Sequence, residues 1–224
     1  MTDSLAIETT SLTRSFGSCV AVDGIDLRVP RGNIYGFLGP NGAGKTTTIR
    51  LLVGLLRPDS GSIFFEGQIL TRDRRDIMRR IGALVETPTL YPHLTGRENL
   101  EVTRRILGVA ESRVNASLGV FGLTNDAHRL VRTYSLGMRQ RLGLALAWLG
   151  EPRLLMLDEP ANGLDPAGMR ELRNQIRRFA HDQNVTVFLS SYVLSELQQL
   201  ADQRGLLLGV LAAPGAALDL QIGP

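Results

Sequence analysis

One cysteine, one lysine, one tryptophan and no long apolar run: the 224-residue chain is marked first by what it has little of. Cys19 alone excludes an intramolecular disulfide framework and any multi-cysteine zinc or iron–sulfur centre. Such sparing cysteine use fits a reducing compartment. The longest stretch free of charged or strongly polar residues, Gly205 to Leu218, contains Pro214 and falls short of the ~20 apolar residues that a spanning helix needs. Met1-Thr2-Asp3-Ser4 is not a basic segment leading into an apolar core, so no signal peptide is expected. Any membrane role would need another chain to supply the span. The shortage of lysine is the oddest of these. Of 25 basic residues, only Lys45 is a lysine and the rest are arginines.

With 43% hydrophobic and 21% charged residues, the composition is that of a globular chain rather than a disordered or fibrous one. The length fits one ordinary domain. A net charge of +3 raises the question of nucleic acid. The arginines argue against it, because they are scattered among acids. The one dense run, Arg72 to Arg80, interleaves Asp73 and Asp76 at helical spacing and reads as a salt-bridged helix face.

Alternation in Val22 to Val29 predicts a half-buried strand, and Pro30 to Asn33 a turn. Ile34 to Leu38 reads as a buried strand, Thr46 to Leu56 as a buried helix, and Ser62 to Phe65 as a further strand. The middle of the chain changes character. Thr95 and Glu98 form a capping box, followed by Leu100, Thr103, Ile106 and Leu107 at helical spacing. Val114, Leu118 and Phe121 mark a second helix, and Leu136 to Leu149 a third. Strands at Ile81 to Val85, Leu154 to Leu157 and Val185 to Leu189 then accompany helices at Pro166 to His181 and Val193 to Ala201. Strands alternating with helices predict a parallel sheet flanked by helices.

Gly39-Pro40-Asn41-Gly42-Ala43-Gly44-Lys45-Thr46 matches G-x-x-x-x-G-K-[ST] in full, between a predicted strand and a predicted helix. Its glycines let backbone N–H groups turn inward around phosphate oxygens, and the helix N-terminus adds its positive end. Thr46 offers a hydroxyl to Mg²⁺, and Thr47 adjoins it. Lys45 must be a compact charge on a flexible stem, a role that a wide arginine fork does not fill. The composition keeps its one lysine there. Leu154 to Glu159 supplies a second half: an apolar strand ends in Asp158, a carboxylate for the Mg²⁺ shell, beside Glu159, which can polarise a water. Tyr134-Ser135-Leu136-Gly137-Met138 opens a further helix that Ser135 can cap.

In this combination the chain resembles the nucleotide-binding domain of ABC transporters along nearly its whole length. Phe37-Leu38 with the phosphate loop, Asp158-Glu159-Pro160 and Asn162-Gly163-Leu164-Asp165 match that family's order and spacing. Tyr134 to Met138 corresponds to the signature L-S-G-G-Q, with Leu136 and Met138 in place of a glycine and the glutamine. Those departures, and Tyr91-Pro92-His93-Leu94-Thr95-Gly96-Arg97-Glu98-Asn99, are similar to bacterial antibiotic- and lantibiotic-export ATPases.

The resemblance implies an α/β P-loop NTPase core of ABC type, with an N-terminal antiparallel β subdomain and an inserted helical subdomain. One domain would fill 1–224, with core and β subdomain at about 5–91 and 151–213 and the helical subdomain at about 92–150. It implies ATP and Mg²⁺ as ligands, and a head-to-tail homo- or heterodimer with each ATP between one subunit's Lys45 loop and the other's Ser135, Gly137 and Met138. It also implies a separate transmembrane permease chain and a peripheral place on the cytoplasmic face of the membrane. Phe16 takes the position of the adenine-stacking aromatic. Glu86 stands where the family usually has a glutamine that reaches Mg²⁺ or the attacking water, and the loop from Thr87 to Leu94 would face the partner.

Two departures stand out. Ser190-Ser191-Tyr192 puts a tyrosine where the family has a histidine on the γ-phosphate, which points to slowed hydrolysis. Gly205 to Ala213 is compressed where relatives run strand, turn, strand, as a shortened hairpin or a truncated domain. The expected function is the ATP-hydrolysing motor of an exporter. The alternatives are a nucleotide-gated subunit that hydrolyses weakly, and a soluble ABC ATPase acting on nucleic acid.

Overall fold

A computed structural model describes residues 4–71, 75–191, 206–211 and 217–222. The chain opens with β1 (Leu5–Phe16), β2 (Cys19–Ile25) and β3 (Arg28–Pro30), then β4 (Ile34–Leu38), α1 (Lys45–Leu52), β5 (Ser60–Phe65) and β6 (Gln68–Ile69). A short α2 (Arg75–Met78) leads to β7 (Ile81–Leu84). Between β7 and the next strand the chain is helical: α3 (Gly96–Leu107), α4 (Ser112–Val120) and α5 (Leu136–Trp148). It returns through β8 (Leu154–Asp158), α6 (Pro166–His181), β9 (Thr186–Ser191), β10 (Leu206–Leu211) and β11 (Ala217–Ile222).

Two sheets result. The long β1 pairs antiparallel with β2, β3 and β5, and β6 pairs antiparallel with β5 to complete the first sheet. The second runs β11-β10-β4-β9-β8-β7, parallel except at the edge strand β11. Its central strands β8 and β9 are buried along their whole length, which explains the apolar runs Leu154 to Leu157 and Val187 to Leu189: a parallel strand covered on both faces has no solvent side. One face carries Leu154, Met156 and Phe188 into a core shared with α1 and the antiparallel sheet. The other carries Leu155, Leu157 and Val187 into a core shared with α4, α5 and α6, where Trp148 stacks on Phe179 at 3.8 Å.

The helix boundaries follow local chemistry. Thr95 and Glu98 form the expected capping box, and those hydrogen bonds hold the Glu98 carboxyl below the usual carboxylate range. Asp165 caps α6 by accepting from Gly168 N, with Pro166 in the first turn.

Several expectations need correction. The strand expected over Val22 to Val29 breaks into β2 and β3, because the buried Thr9 hydroxyl enters the gap, donating to Ile25 O and accepting from Leu27 N. The first helix stops at Leu52 rather than Leu56, since the amides of Leu55 and Leu56 both turn back to Arg50 O. Ile106 does not join the apolar face of α3 and is 73% exposed. The Arg72 to Arg80 run is helical only at Arg75–Met78, and 72–74 lie outside the described residues. The stretch expected to be compressed is instead a full antiparallel pair, with Leu206 opposite Ile222 and Leu211 opposite Ala217. The helix expected at Val193 to Ala201, like Tyr192, lies outside the described residues.

Candidate functional site

The phosphate loop bridges the end of β4 and the start of α1, at the C-terminal edge of the parallel sheet where open α/β folds bind ligands. Gly42 and Gly44 hold φ of 83° and 97°, a region that L side chains rarely adopt. No side chain caps α1, so its first N–H groups have no side-chain partner of that kind. A Cβ on Gly42 would meet nothing within 4 Å, so the loop is open there, with Asn41 exposed beside it. Gly44 differs: its Cβ would fall 2.1 Å from the Ala21 carbonyl of β2. Gly44→Ala should therefore cost about 1–3 kcal/mol from backbone strain alone and abolish nucleotide binding, read by urea melts and nucleotide titration.

Lys45 is buried at 5% exposure, and its ammonium donates to Gly39 O at 2.7 Å and Pro40 O at 3.1 Å. Glu159 lies 3.6 Å from it. Thr46 donates its hydroxyl to Asp158 Oδ2 at 2.6 Å, across from β8. Thr47 is half-buried behind it, and Ala43 closes the loop through Ala43 N to Pro40 O. The structure thus brings together Lys45, Thr46, Asp158 and Glu159, which the sequence singled out separately.

Glu159 and Glu86 each follow a strand of the parallel sheet, and both have left-handed backbone, with φ of 47° and 58°. Residues held in such sparsely populated regions cluster at functional sites. Asn162 donates to Glu159 Oε2 at 2.7 Å. The Glu86 carboxylate is taken by Arg50 at 2.7 Å. Arg50 sits one helical turn beyond Thr46, so Glu86 is held against the same face of α1 but not on the Thr46–Asp158 pair.

Ser135 caps α5 as expected, accepting from Met138 N at 3.2 Å. Burial pushes the Tyr134 phenol above its usual range, and its hydroxyl donates to Asp126 O. The start of α5 rests on the loop after β8. Gln140 donates to Pro160 O from a buried position, and Leu136 packs over Gly163 closely enough to exclude a Cβ there. Among the described residues, no hydrogen bond joins Ser135 or Gly137 to the phosphate loop of the same chain. Phe16 ends β1 opposite Cys19 and is 45% exposed, with the Arg14 guanidinium 4.9 Å over its ring.

Sequence reasoning missed Ser190, Arg50, Asn162 and Gln140. The signal for Ser190 was available: a polar residue directly follows the apolar run Val187 to Leu189, as Asp158 follows Leu154 to Leu157. The wholly buried Ser190 hydroxyl donates to Asp158 Oδ1 at 2.5 Å and accepts from Glu159 N at 3.0 Å.

A protein-family model described as "ABC transporter" matches residues 22–162. The chain is 48% identical over 205 residues to the bacitracin transport ATP-binding protein BcrA of Bacillus licheniformis, covering 91% of this chain and 67% of that protein. It is 44% identical over 192 residues to the lantibiotic transport ATP-binding protein SrtF of Streptococcus pyogenes, covering 86% of this chain and 82% of that one. A solved ATP-binding subunit of an ABC transporter superposes with a TM-score of 0.85 at 26% identity, over 97% of this chain and 90% of that chain.

Proposed function

The chain belongs to the ABC transporter family, and on that premise we propose that it binds and hydrolyses ATP as the motor subunit of an antibiotic-type exporter. One observation carries the reading: Lys45, Thr46, Asp158 and Glu159 converge beside an open, glycine-lined helix N-terminus. Among the described residues no helix is long and apolar enough to cross a membrane, so the export path would belong to a separate permease chain. The bacitracin and lantibiotic relatives point to a peptide antibiotic as cargo.

The residues fit a nucleotide with Mg²⁺. Thr46 and Asp158 already share a hydrogen, so two hard oxygens meet at one point. Among the described residues no three acidic, histidine or cysteine side chains are grouped so that they could hold a metal ion by themselves. Mg²⁺ suits such a site, since it is usually held by one or two protein oxygens, waters and substrate phosphates. When bound, the cation would neutralise charge on the β- and γ-phosphates. Lys45 would exchange its two loop carbonyls for phosphate oxygens. Glu159, at the sheet edge and steadied by Asn162, would take a proton from the attacking water.

The signature helix would serve a second copy or a related chain. Ser135 caps an α-helix that starts at an exposed Leu136 with Gly137 half-buried beside it, and that Leu136 is apolar surface to be covered. A head-to-tail dimer covers it and brings that turn to the partner's γ-phosphate. Phe16 would stack on adenine from the β1–β2 turn, which the Ala21–Gly44 approach keeps beside the phosphate loop. Residues 92–150 would form the helical subdomain, and Glu86 with the loop to Leu94 would carry movement to the permease on the cytoplasmic face. Phosphate release by the purified chain, alone and with the membrane protein that co-purifies with it, tests the reading. No cation-dependent release in either state would sink it, and salt-sensitive RNA binding would favour an ATPase acting on nucleic acid.

Tyr192 favours a second reading, a nucleotide-gated subunit with slow turnover. A neutral phenol replaces an imidazole donor. Tyr192→His should then raise steady-state hydrolysis by about 10²–10³-fold, the worth of one preorganised donor. Equal rates for the two proteins would remove that reading.

A further inference from the structure

We infer that Ser190 is a positioning residue of the hydrolytic site, its hydroxyl fixing both the Asp158 carboxylate and the backbone at Glu159. The inference rests on the reading of Asp158 as the cation-side carboxylate and Glu159 as the base, and extends it to a residue on a third element. Strand β9 lies between β4 and β8, and the parallel register sets Ser190 opposite Asp158 on one side and Phe37 on the other. The preceding residues Val187 to Leu189 are apolar and buried. A hydroxyl at a wholly buried place among them is costly unless it is bonded.

Ser190 is bonded twice, and both bonds go to the site. A serine hydroxyl has one hydrogen to give, and Ser190 gives it to Asp158 Oδ1 at 2.5 Å. Asp158 Oδ2 takes the Thr46 hydroxyl at 2.6 Å, so two hydroxyls from different elements pin the plane of the carboxylate. The two bonds are not equivalent. Thr46 is half-buried on the loop side, where its contact would be traded for a cation, whereas Ser190 lies wholly inside and keeps its bond. The same Ser190 oxygen accepts Glu159 N–H at 3.0 Å, at the residue whose φ of 47° turns the chain out of the sheet. One hydroxyl therefore sets the relative placement of the two acids.

The test uses the full chain as wild type, Ser190→Ala and Ser190→Cys. Four quantities are read: ATP affinity in EDTA, Mn²⁺ binding by electron paramagnetic resonance with a non-hydrolysable ATP analogue, kcat against KM, and thermal melting. In Ser190→Ala, Mn²⁺ half-saturation should rise about tenfold and kcat fall by about tenfold or more, the scale of a hydrogen bond to a charged group. Cation-free ATP affinity should stay within about twofold, and the weaker donor of Ser190→Cys should fall between. Mn²⁺ affinity and kcat within about twofold of wild type in a folded Ser190→Ala protein would overturn the inference. So would a parallel fall in cation-free ATP affinity and melting temperature, which marks a packing role. If wild type itself shows no nucleotide-dependent Mn²⁺ binding, the reading of Asp158 fails first, and that outcome is distinct from the other two.

Discussion

Glu159→Gln should lower ATP hydrolysis by about 10²–10⁴-fold, the usual contribution of a general base, while ATP binding persists. The substitution keeps the shape of the side chain and an oxygen for Asn162 Nδ2, so the loop after β8 keeps its hydrogen bond. What is lost is the basic oxygen. A second consequence follows from the 3.6 Å approach of Glu159 to Lys45. Removing a negative charge from the edge of a phosphate site reduces repulsion of the triphosphate, so the bound state should be longer-lived. An ATP- and Mg²⁺-dependent dimer should then accumulate on size exclusion, where the wild type should hydrolyse its ATP and return to monomers. Phosphate release within about threefold of wild type would move the base elsewhere, with Glu86 the next acid to replace. Loss of hydrolysis without any dimer would leave the base in place but remove the proposed sandwich.

The parts of the site that were legible in the sequence are those built from near neighbours. A strand, a glycine loop and a helix in direct succession specify the phosphate loop, and the cap at Ser135 is closed by Met138 three residues on. Asp158 announces itself by ending an apolar run. The hidden parts are contacts between residues far apart in the chain. Ser190 reaches Asp158 across 32 positions and Arg50 reaches Glu86 across 36, and only the strand order β4-β9-β8-β7 makes them neighbours. The break between β2 and β3 was hidden for the same reason, since Thr9 acts on it from 16 and 18 positions away. Leu136 shows a further limit. In the sequence it is a departure from a glycine-rich signature, whereas in the fold it is the residue that covers Gly163, where φ is 80°. The departure and the neighbouring loop make one packed contact, so the start of α5 is tied to the segment that carries Glu159.

Lys45→Arg should fail nearly as badly as Lys45→Ala, although it conserves the charge and copies what every other basic residue in the chain is. The site is narrow. Lys45 is 5% exposed, and its ammonium fits between the Gly39 and Pro40 carbonyls at 2.7 and 3.1 Å. A guanidinium is planar, carries its donors in a rigid fork and is wider than an ammonium. In that space it must push the loop off Gly39 and Pro40, or withdraw and leave the γ-phosphate without its donor. Either outcome removes one preorganised donor from the transition state, worth a factor of about 10²–10³ in rate. Phosphate release and ATP titration on both variants measure it, with melting curves to show that each is folded. Retention of hydrolysis within about threefold by Lys45→Arg would mean that charge alone matters there. The single lysine among 25 basic residues would then be an accident of composition, whereas loss in both variants makes it the one place where arginine cannot serve.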